Sequence, residues 1–354
     1  MFVEHYGLTG HPFQLTPDPS FFFGSTVHNR VKSYLTYGIA QGEGFVIVTG
    51  DVGAGKTTLV GHLLATLDPG RFRSAKIVTS QLGADDTLRM VANAFGIAYE
   101  RDASKAELLT IIGDFLAERQ HAGQRCLLVA DECQNLPFDA LEELRMLSNL
   151  SVDGAPALQT LLVGQPQFRT TLASPNLEQL RQRVIASCHL GPIEAGEIEG
   201  YILYRMKAVG WDGTPEFAPD VFDAIHRQTG GVPRRVNVLC SRLLLFGCLE
   251  DRRVLDAQAV DEVAEDMEAE GESVLDREGA ARALVPRNGA LAGAAGAGLA
   301  LPSDLAALLD SFEDRLSALE ERGRRHDRVF RRTLTTLSEH LEDFIDGMRP
   351  RTPS

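Results

Sequence analysis

Residues 50–57 constrain this chain more than any other feature, because they read GDVGAGKT directly after a short apolar run. The stretch fits the pattern G-x-x-x-x-G-K-[ST] without a mismatch. Its glycines let the backbone wrap so that successive N–H groups point inward at phosphate oxygens, and the helix that begins near Lys56 directs its positive end at the same phosphates. A glycine-rich turn without a ligand would leave Lys56 without a purpose. We therefore predict a phosphate-binding loop between a buried strand and a helix.

This loop and the start of its helix supply the residues that we expect at a nucleotide and at Mg²⁺. Lys56 should reach the β- and γ-phosphates, and the hydroxyl of Thr57 should bind Mg²⁺. The predicted phosphate-binding residues are Gly50, Asp51, Val52, Gly53, Ala54, Gly55, Lys56, Thr57 and Thr58. The proline-rich but apolar stretch 7–19 is expected to lie near the adenine, although composition alone indicates only an irregular arm.

Two carboxylates end a second apolar run, Leu127–Ala130, and give the chain a candidate metal and water site. Alone they would indicate a strand that ends in solvated acids, but in a chain with a phosphate loop they have the positions that Mg²⁺ chemistry needs. We expect Asp131 to hold the waters of the metal and Glu132 to act as general base towards the attacking water. The presence of Glu132 predicts hydrolysis rather than binding alone.

Polar side chains later in the chain are further candidates for catalysis. Gln165 follows the apolar run 160–163 and is expected to orient the attacking water, although an amide that caps a turn would look the same. Arg181 and Arg183 precede the last predicted strand. We expect one of them to act as an arginine finger at the site of a neighbouring chain, although two solvated surface arginines would look the same. Arg234 follows Pro233 at a helix start and is expected to sense the γ-phosphate, unless it only caps that helix.

Apolar runs and helical patterns alternate through the first part of the chain. This alternation predicts a parallel sheet that is covered by helices on both faces, in an α/β nucleotide-binding domain over residues 1–192. The predicted strands are Phe45–Thr49, Ala75–Ser80, Cys126–Ala130, Thr160–Val163 and Ala186–Leu190. The predicted helices are Lys56–Leu67, Asp85–Phe95, one that a capping box of Ser104 and Glu107 begins, and Phe138–Leu150.

From about Pro192 the pattern changes to helices alone, which predicts a small helical lid domain over residues 193–270 without a clear strand. Its predicted helices are Glu194–Val209, Asp220–Thr229, Arg235–Leu249 and Asp256–Glu270. Residues 271–302 are rich in Ala, Gly and Arg and are predicted to form a flexible linker. Apolar residues then recur at spacings of three and four, so residues 303–354 are expected to form an amphipathic or coiled-coil helix. Such a helix either packs on its own domain or, as we favour, self-associates or binds a partner.

The composition of the chain indicates which partners and which cellular compartment to expect. The formal charge of −14 offers no electrostatic footprint for coating nucleic acid, so we expect no stable nucleic-acid partner. Five scattered cysteines without a CxxC pair indicate free thiols in a reducing compartment. The apolar stretch 290–301 is shorter than the roughly 20 residues of a membrane span. We therefore predict a cytoplasmic protein that has no direct membrane span and is at most peripheral to the inner membrane.

Several motifs occur together in an order that resembles the AAA+ ATPases. They are the phosphate loop, LLVADE, GQP, LRQRV and GGVPRRVN. The opening GLTGHPFQLTPDPSFFF and the stretch DECQNLPFDALEELRMLSNL are similar to the general secretion pathway protein A (ExeA-like) group. Within that group, GEGFVIVTGDVGAGKTTLV and LGPIEAGEIEGYILYRMKAVGW are similar to the secretion ATPases found with PEP-CTERM/exosortase exopolysaccharide loci. The resemblance covers residues 1–268.

This resemblance implies an AAA+ P-loop core that uses ATP and Mg²⁺ to power or regulate envelope secretion, exopolysaccharide export or PEP-CTERM sorting. It implies a homo-oligomer, either a ring or a dimer, whose C-terminal helix contacts a protein of the envelope export or polysaccharide machinery. The implied roles are Walker A for Lys56 and Thr57, Walker B for Asp131 and Glu132, the two sensors for Gln165 and Arg234, and the finger for Arg183 or Arg181. The alternatives are a DNA-associated helper ATPase of the transposition type and a nucleotide switch of low turnover.

Overall fold

A five-stranded parallel sheet forms the centre of the computed structural model, which describes residues 1–78 and 84–283. The strands in chain order are β1 (Phe45–Gly50), β2 (Phe72–Val78), β3 (Arg125–Asp131), β4 (Ser151–Val152), β5 (Ala155–Pro156), β6 (Leu158–Gly164), β7 (Val184–Leu190), β8 (Glu216–Phe217) and β9 (Val254–Leu255). The central sheet has the order β2-β3-β6-β1-β7, and β4 and β5 form a small antiparallel pair outside it. All five predicted strands are therefore present. The prediction for the second strand continued to Ser80, and its last two residues lie outside the described part of the chain.

Twelve helices accompany the strands within the described residues. They are α1 (Phe2–His5), α2 (Thr26–Gln41), α3 (Lys56–Thr66), α4 (Ala84–Phe95), α5 (Lys105–His121), α6 (Phe138–Leu147), α7 (Gln167–Leu172), α8 (Glu178–Arg181), α9 (Ile198–Ala208), α10 (Val221–Thr229), α11 (Pro233–Leu249) and α12 (Ala257–Ala283). The capping box predicted for α5 is formed, since the Ser104 side chain accepts from the Glu107 backbone and the Glu107 side chain accepts from that of Ser104.

Helices cover both faces of the sheet, as the pattern of alternating elements predicts. On one face, Phe45 and Ile47 of β1 pack with the apolar sides of α4, α5 and α6. On the other face, Val46 and Val48 pack with α2 and α3. Strands β1 and β6 are buried along their whole length, which explains why their sequences are continuous apolar runs rather than alternating ones. The predicted fold class, a parallel P-loop sheet followed by helices, is confirmed.

A third apolar cluster joins α9, α10, α11 and α12 into the lid, and it includes the start of the chain. Tyr6, Leu8 and Phe13 are buried in this cluster rather than against the sheet. The lid also holds a short parallel pair, β8 with β9, so the expectation of a lid without strands was wrong. Strands of two residues carry no periodicity that a sequence pattern can reveal.

Helix α12 continues to Ala283, so the linker predicted over 271–302 is helical where it begins. The rest of that predicted linker and the amphipathic helix predicted over 303–354 lie outside the described residues. The chain divides into two compact units, Met1–Leu284 and Val285–Ser354, and the described residues belong to the first. Within them, no helix combines the length and the apolar character that a membrane crossing requires. All five cysteines are free thiols, and burial raises the pKa of Cys126 and of Cys188 to about 11.

Candidate nucleotide-binding site

The predicted phosphate loop connects the end of β1 to the first turn of α3, at the carboxyl edge of the sheet. Gly53 and Gly55 have φ angles of +82° and +92°, a backbone conformation that favours glycine. Gly53 is also approached closely by the lid, because a Cβ atom there would lie 2.4 Å from the Cβ atom of Arg234. The loop is therefore a tight cradle in front of a helix N-terminus, the arrangement that binds phosphate groups.

Lys56 lies under this cradle with only 7% of its surface exposed. Its Nζ donates hydrogen bonds to the carbonyl oxygens of Gly50, at 2.7 Å, and Asp51, at 2.9 Å. Burial lowers the pKa of the Lys56 ammonium, while the nearby carboxylates, chiefly Glu132, act in the opposite direction. A cation that is held this way against two carbonyls at the base of a phosphate-sized cradle fits a polyanionic ligand, since an anion would stabilise its charge.

Thr57 and Asp131 meet beside the cradle. The Thr57 hydroxyl donates to Oδ2 of Asp131 at 3.1 Å, and the Asp131 carboxylate is buried at the end of β3. A hydroxyl and a carboxylate are hard oxygen donors, and they suit Mg²⁺ held next to a phosphate. The residues present therefore fit the metal that the fold implies. Oδ2 of Asp131 also forms an ion pair with Nζ of Lys76 at 2.8 Å. No sequence pattern predicted this contact.

Glu132 follows β3 in a left-handed backbone conformation, with φ at +58°. Its Oε2 accepts hydrogen bonds from the side-chain amides of Gln134, at 2.6 Å, and Gln165, at 3.3 Å. The backbone N–H of Gln165 donates to Oε1 of Gln134 at 2.9 Å, so the two amides and the carboxylate form one network. Gln134 is a site residue that sequence reasoning missed. A polar residue two positions after Glu132 was the available signal, but only the fold brings it to Gln165.

The N-terminal arm and the lid form the remaining walls of the cleft. Arm residues from Gln14 to Asp18 and the aromatic run Phe21–Phe23 line it, so part of the stretch 7–19 lies at the cleft, and its position near an adenine stays a prediction. From the lid, Tyr201, Arg205 and Asn237 line the same cleft. Apolar and aromatic groups thus line the same cleft as the phosphate loop, a combination that suits a nucleotide.

A buried histidine braces the phosphate loop from the side of α2. Nε2 of His28 lies 3.2 Å from the carbonyl oxygen of Ala54, and Nδ1 lies 2.7 Å from Oγ of Ser25. Burial lowers the pKa of His28, which keeps the ring neutral, so Nε2–H donates to Ala54 and Nδ1 accepts from the serine hydroxyl. Sequence reasoning did not single out His28.

The remaining predicted residues separate into two groups. Val52 and Thr58 line the cleft, and the backbone N–H of Arg234 donates to the carbonyl oxygen of Gly53 at 3.1 Å. Lys56, Thr57, Asp131, Glu132, Gln165 and Arg234 are therefore brought together.

Arg181 and Arg183 are exposed and lie elsewhere. Their guanidinium groups donate to the carbonyl oxygens of Leu172, at 2.9 Å, and Ser148, at 3.3 Å. Arg183 precedes β7, whose other end pairs with Gly50, so about 20 Å of strand separates Arg183 from the loop of its own chain.

Comparison with known proteins agrees with this geometry. The family model described as an AAA domain matches residues 39–172, which include the phosphate loop and the acidic pair. General secretion pathway protein A of Aeromonas hydrophila is 36% identical over 245 residues. That alignment covers 69% of this chain but 44% of the relative, so the chain spans less than half of the length of that protein.

Solved structures show the same fold at lower identity. The ORC2 protein of Aeropyrum pernix, in ADPNP–ADP complexes, matches with a TM-score of 0.57 at 17% identity and covers 72% of this chain and 71% of its own. Cdc6p of Pyrobaculum aerophilum matches with a TM-score of 0.56 at 20% identity and covers 70% and 71%. At these identities the likeness concerns the fold alone. The chain is an AAA+ P-loop protein that is related to general secretion pathway protein A.

Proposed function

We propose that this chain binds ATP with Mg²⁺ in the cleft and hydrolyses the nucleotide to ADP and phosphate. The observation that carries the proposal is the Glu132 carboxylate, which two amides hold at the tip of β3 next to the Thr57–Asp131 pair. A chain that only bound nucleotide would need the cradle and the lysine. It would have no use for a carboxylate held in position by a left-handed backbone and two amide donors.

Each residue of the cleft has a part in this proposal. Lys56 and the loop N–H groups bind and orient the phosphates, and Thr57 and Asp131 hold Mg²⁺, which supplies charge neutralisation when it is bound. Glu132 accepts a proton from the attacking water, and the amide of Gln165 orients that water. Arg234, whose backbone contacts the loop, reports the occupancy of the site to the lid.

The first test is the binding and turnover of ATP by the full chain with and without Mg²⁺. Lys56→Ala should abolish tight binding, because the phosphates lose the only cation that lies beneath the loop in the described residues. Lys105→Ala is the matched control, since Lys105 pairs with the buried Glu143 carboxylate and neither of these two residues lines the cleft. Unchanged ATP affinity in Lys56→Ala would contradict the proposal.

We infer further that the catalytic site is completed by a second copy of the chain. Neither Arg181 nor Arg183 lines the cleft of its own chain, and about 20 Å of strand separates Arg183 from the loop, but as exposed side chains both can enter the cleft of a neighbour. Guanidinium groups supplied in trans stabilise the charge that develops during phosphoryl transfer. The specific activity should therefore rise with protein concentration as a ring or dimer forms.

Arginine variants separate this oligomeric mechanism from one in which each chain acts alone. Replacing both Arg181 and Arg183 with Ala should lower the turnover at high protein concentration by about 100-fold or more, with ATP binding retained. Arg227→Ala, on the exposed side of α10, is the control. Undiminished turnover in the double variant would exclude both residues as the finger.

The pathway that uses the ATPase is a further proposal. We propose that hydrolysis powers or regulates an envelope secretion system, exopolysaccharide export or PEP-CTERM sorting, from the cytoplasmic side of the inner membrane. The relationship to general secretion pathway protein A supports the envelope assignment. The predicted amphipathic segment 303–354 supports contact with a partner protein of that machinery.

A truncated chain tests this contact. Ending the chain after Ala283 keeps α12 complete, and it should leave ATP binding intact while abolishing co-purification with the envelope partner. Equal recovery of envelope proteins by both forms would contradict a docking role for 303–354.

A further inference from the structure

Lys76 makes a contact with the metal-site carboxylate that the proposed reaction does not use. Strand β2 runs parallel to β3 at the end of the sheet, and their register pairs Lys76 with Val129. The lysine side chain therefore extends along β3 by two residues to reach Asp131, where Nζ lies 2.8 Å from Oδ2. Its stem follows the strand towards the carboxyl edge, and 34% of the side chain remains exposed.

The oxygen that Lys76 contacts is the one that also accepts from Thr57, at 3.1 Å. The ammonium thus lies against the pair of residues to which we assign Mg²⁺. Two cations compete for one buried carboxylate, because each repels the other and each is stabilised by the same negative charge. Lysine is suited to such competition, since its flexible four-carbon stem lets the ammonium move into water without a change in the backbone.

We propose that Lys76 is a positioning residue that neutralises Asp131 in the metal-free chain and competes with Mg²⁺ for this carboxylate. The inference rests on the proposed nucleotide site, and it adds a regulation of that site. Lys76 holds the Asp131 carboxylate in place while the metal is absent. It also lowers the affinity for Mg²⁺, so that metal and nucleotide bind together rather than the metal alone.

The test measures how strongly Mg²⁺ and nucleotide binding are coupled in the full chain. The Kd of a fluorescent ADP is determined in excess EDTA and in saturating MgCl₂, and the ratio of the two values is the coupling. Lys76→Met removes the charge but keeps an apolar stem, so it lets Mg²⁺ bind without nucleotide and should lower the coupling about tenfold, or by about 1.4 kcal/mol. Lys76→Arg keeps the charge and should stay within about twofold of the wild type.

Two further measurements distinguish a specific effect from a loss of folding. Lys105→Met breaks the ion pair with Glu143, whose carboxylate is buried like that of Asp131, and it should leave the coupling unchanged. In EDTA without nucleotide, Lys76→Met should have a Tm about 2–4 °C below that of Lys76→Arg, because the buried Asp131 carboxylate loses the ammonium that contacts it at 2.8 Å. The Kd for ADP in EDTA shows whether the cradle is intact in each variant.

The outcomes separate this proposal from the function on which it rests. A Lys76→Met chain with wild-type coupling, or with stronger coupling, would overturn the competition. A wild-type chain that binds no ADP in either buffer would refute the proposed nucleotide site instead. Lys76 would then be judged on the metal alone: MgCl₂ should raise the Tm of Lys76→Met more than that of the wild type, and an equal rise would overturn the proposal.

Discussion

Replacement of Arg205 by Met should separate the N-terminal arm from the lid and weaken nucleotide binding. The Arg205 guanidinium is 7% exposed and lies 4.7 Å from the ring centre of Phe21. It donates to the carbonyl oxygens of Pro12, at 2.7 Å, and Gln14, at 3.4 Å, and to the hydroxyl of Tyr201 at 3.1 Å. One buried side chain thus ties the arm, which forms a wall of the cleft, to α9.

The size of the effect follows from these contacts. Met keeps the apolar volume of the arginine stem but offers no donor, so the carbonyl of Pro12 loses its hydrogen bond. The hydroxyl of Tyr201 loses one bond but still donates to Oδ1 of Asn237 at 2.7 Å. A buried polar group that is left unsatisfied costs about 1–3 kcal/mol, and the cation–π contact contributes about 1 kcal/mol more. The contact to Gln14 is long and contributes little. Relief from burying the arginine charge offsets part of the sum, so we expect a loss of about 2 kcal/mol in the free energy of unfolding.

Urea unfolding of the full chain measures this loss, and the Kd for a fluorescent ADP measures its effect on the cleft. Arg205→Lys should lie between the wild type and Arg205→Met, because lysine keeps the charge but not the fork of donors. Arg227→Met on the exposed side of α10 is the control for arginine loss in general. If Arg205→Met changes the free energy of unfolding by less than about 0.5 kcal/mol, the hydrogen bonds to the arm carry no net energy and the reasoning is refuted.

Three other substitutions test the cleft at single contacts. Gln134→Leu should slow ATP turnover about tenfold and leave ATP affinity unchanged, because Glu132 loses one of its amide donors; a matching loss of affinity would argue against a catalytic effect. His28 has a lowered pKa when folded, so acid favours the unfolded chain and stability should fall as the pH drops below about 6.5. Urea unfolding should show a smaller fall in His28→Gln, and an equal fall would contradict the assignment. Gly53→Ala should lose at least about 1–2 kcal/mol of stability, since it places a Cβ atom in left-handed backbone and 2.4 Å from Cβ of Arg234; wild-type stability would show that loop and lid separate without loss.

The central sheet was predictable because its strands and loop carry local signals. Strands β1 and β6 are buried on both faces, so their apolar runs are continuous, and each ends at a glycine. The phosphate loop and the acidic pair are contiguous in sequence. Their chemistry therefore needed no knowledge of the fold.

Helix α2 shows where sequence patterns stop. Its buried positions include His28 and Gly38, which weaken the apolar periodicity. The glycine is required by tertiary packing, because a Cβ atom at Gly38 would lie 2.7 Å from Cγ2 of Val46 on β1. The close contact at Gly38 therefore involves the strand that follows the helix, and the periodicity of the helix alone does not predict it.

The site divides in the same way. Lys56, Thr57, Asp131 and Glu132 were found from their own neighbours in sequence, whereas Lys76 reaches Asp131 only because β2 lies beside β3. The helices of the lid were predicted from the sequence. The β8–β9 pair and the full length of α12 were not. These features depend on packing between distant segments and not on local propensity.

The most direct test of the account is the parallel measurement of bound ATP and released phosphate for the wild-type chain and for Glu132→Gln. The substitution keeps the size of the side chain but removes the group that accepts the proton of water. The account predicts that Glu132→Gln binds ATP with at least wild-type affinity and releases phosphate at a rate that is lower by at least about 100-fold. Phosphate release at the wild-type rate by Glu132→Gln, or no ATP bound by either chain, would contradict it.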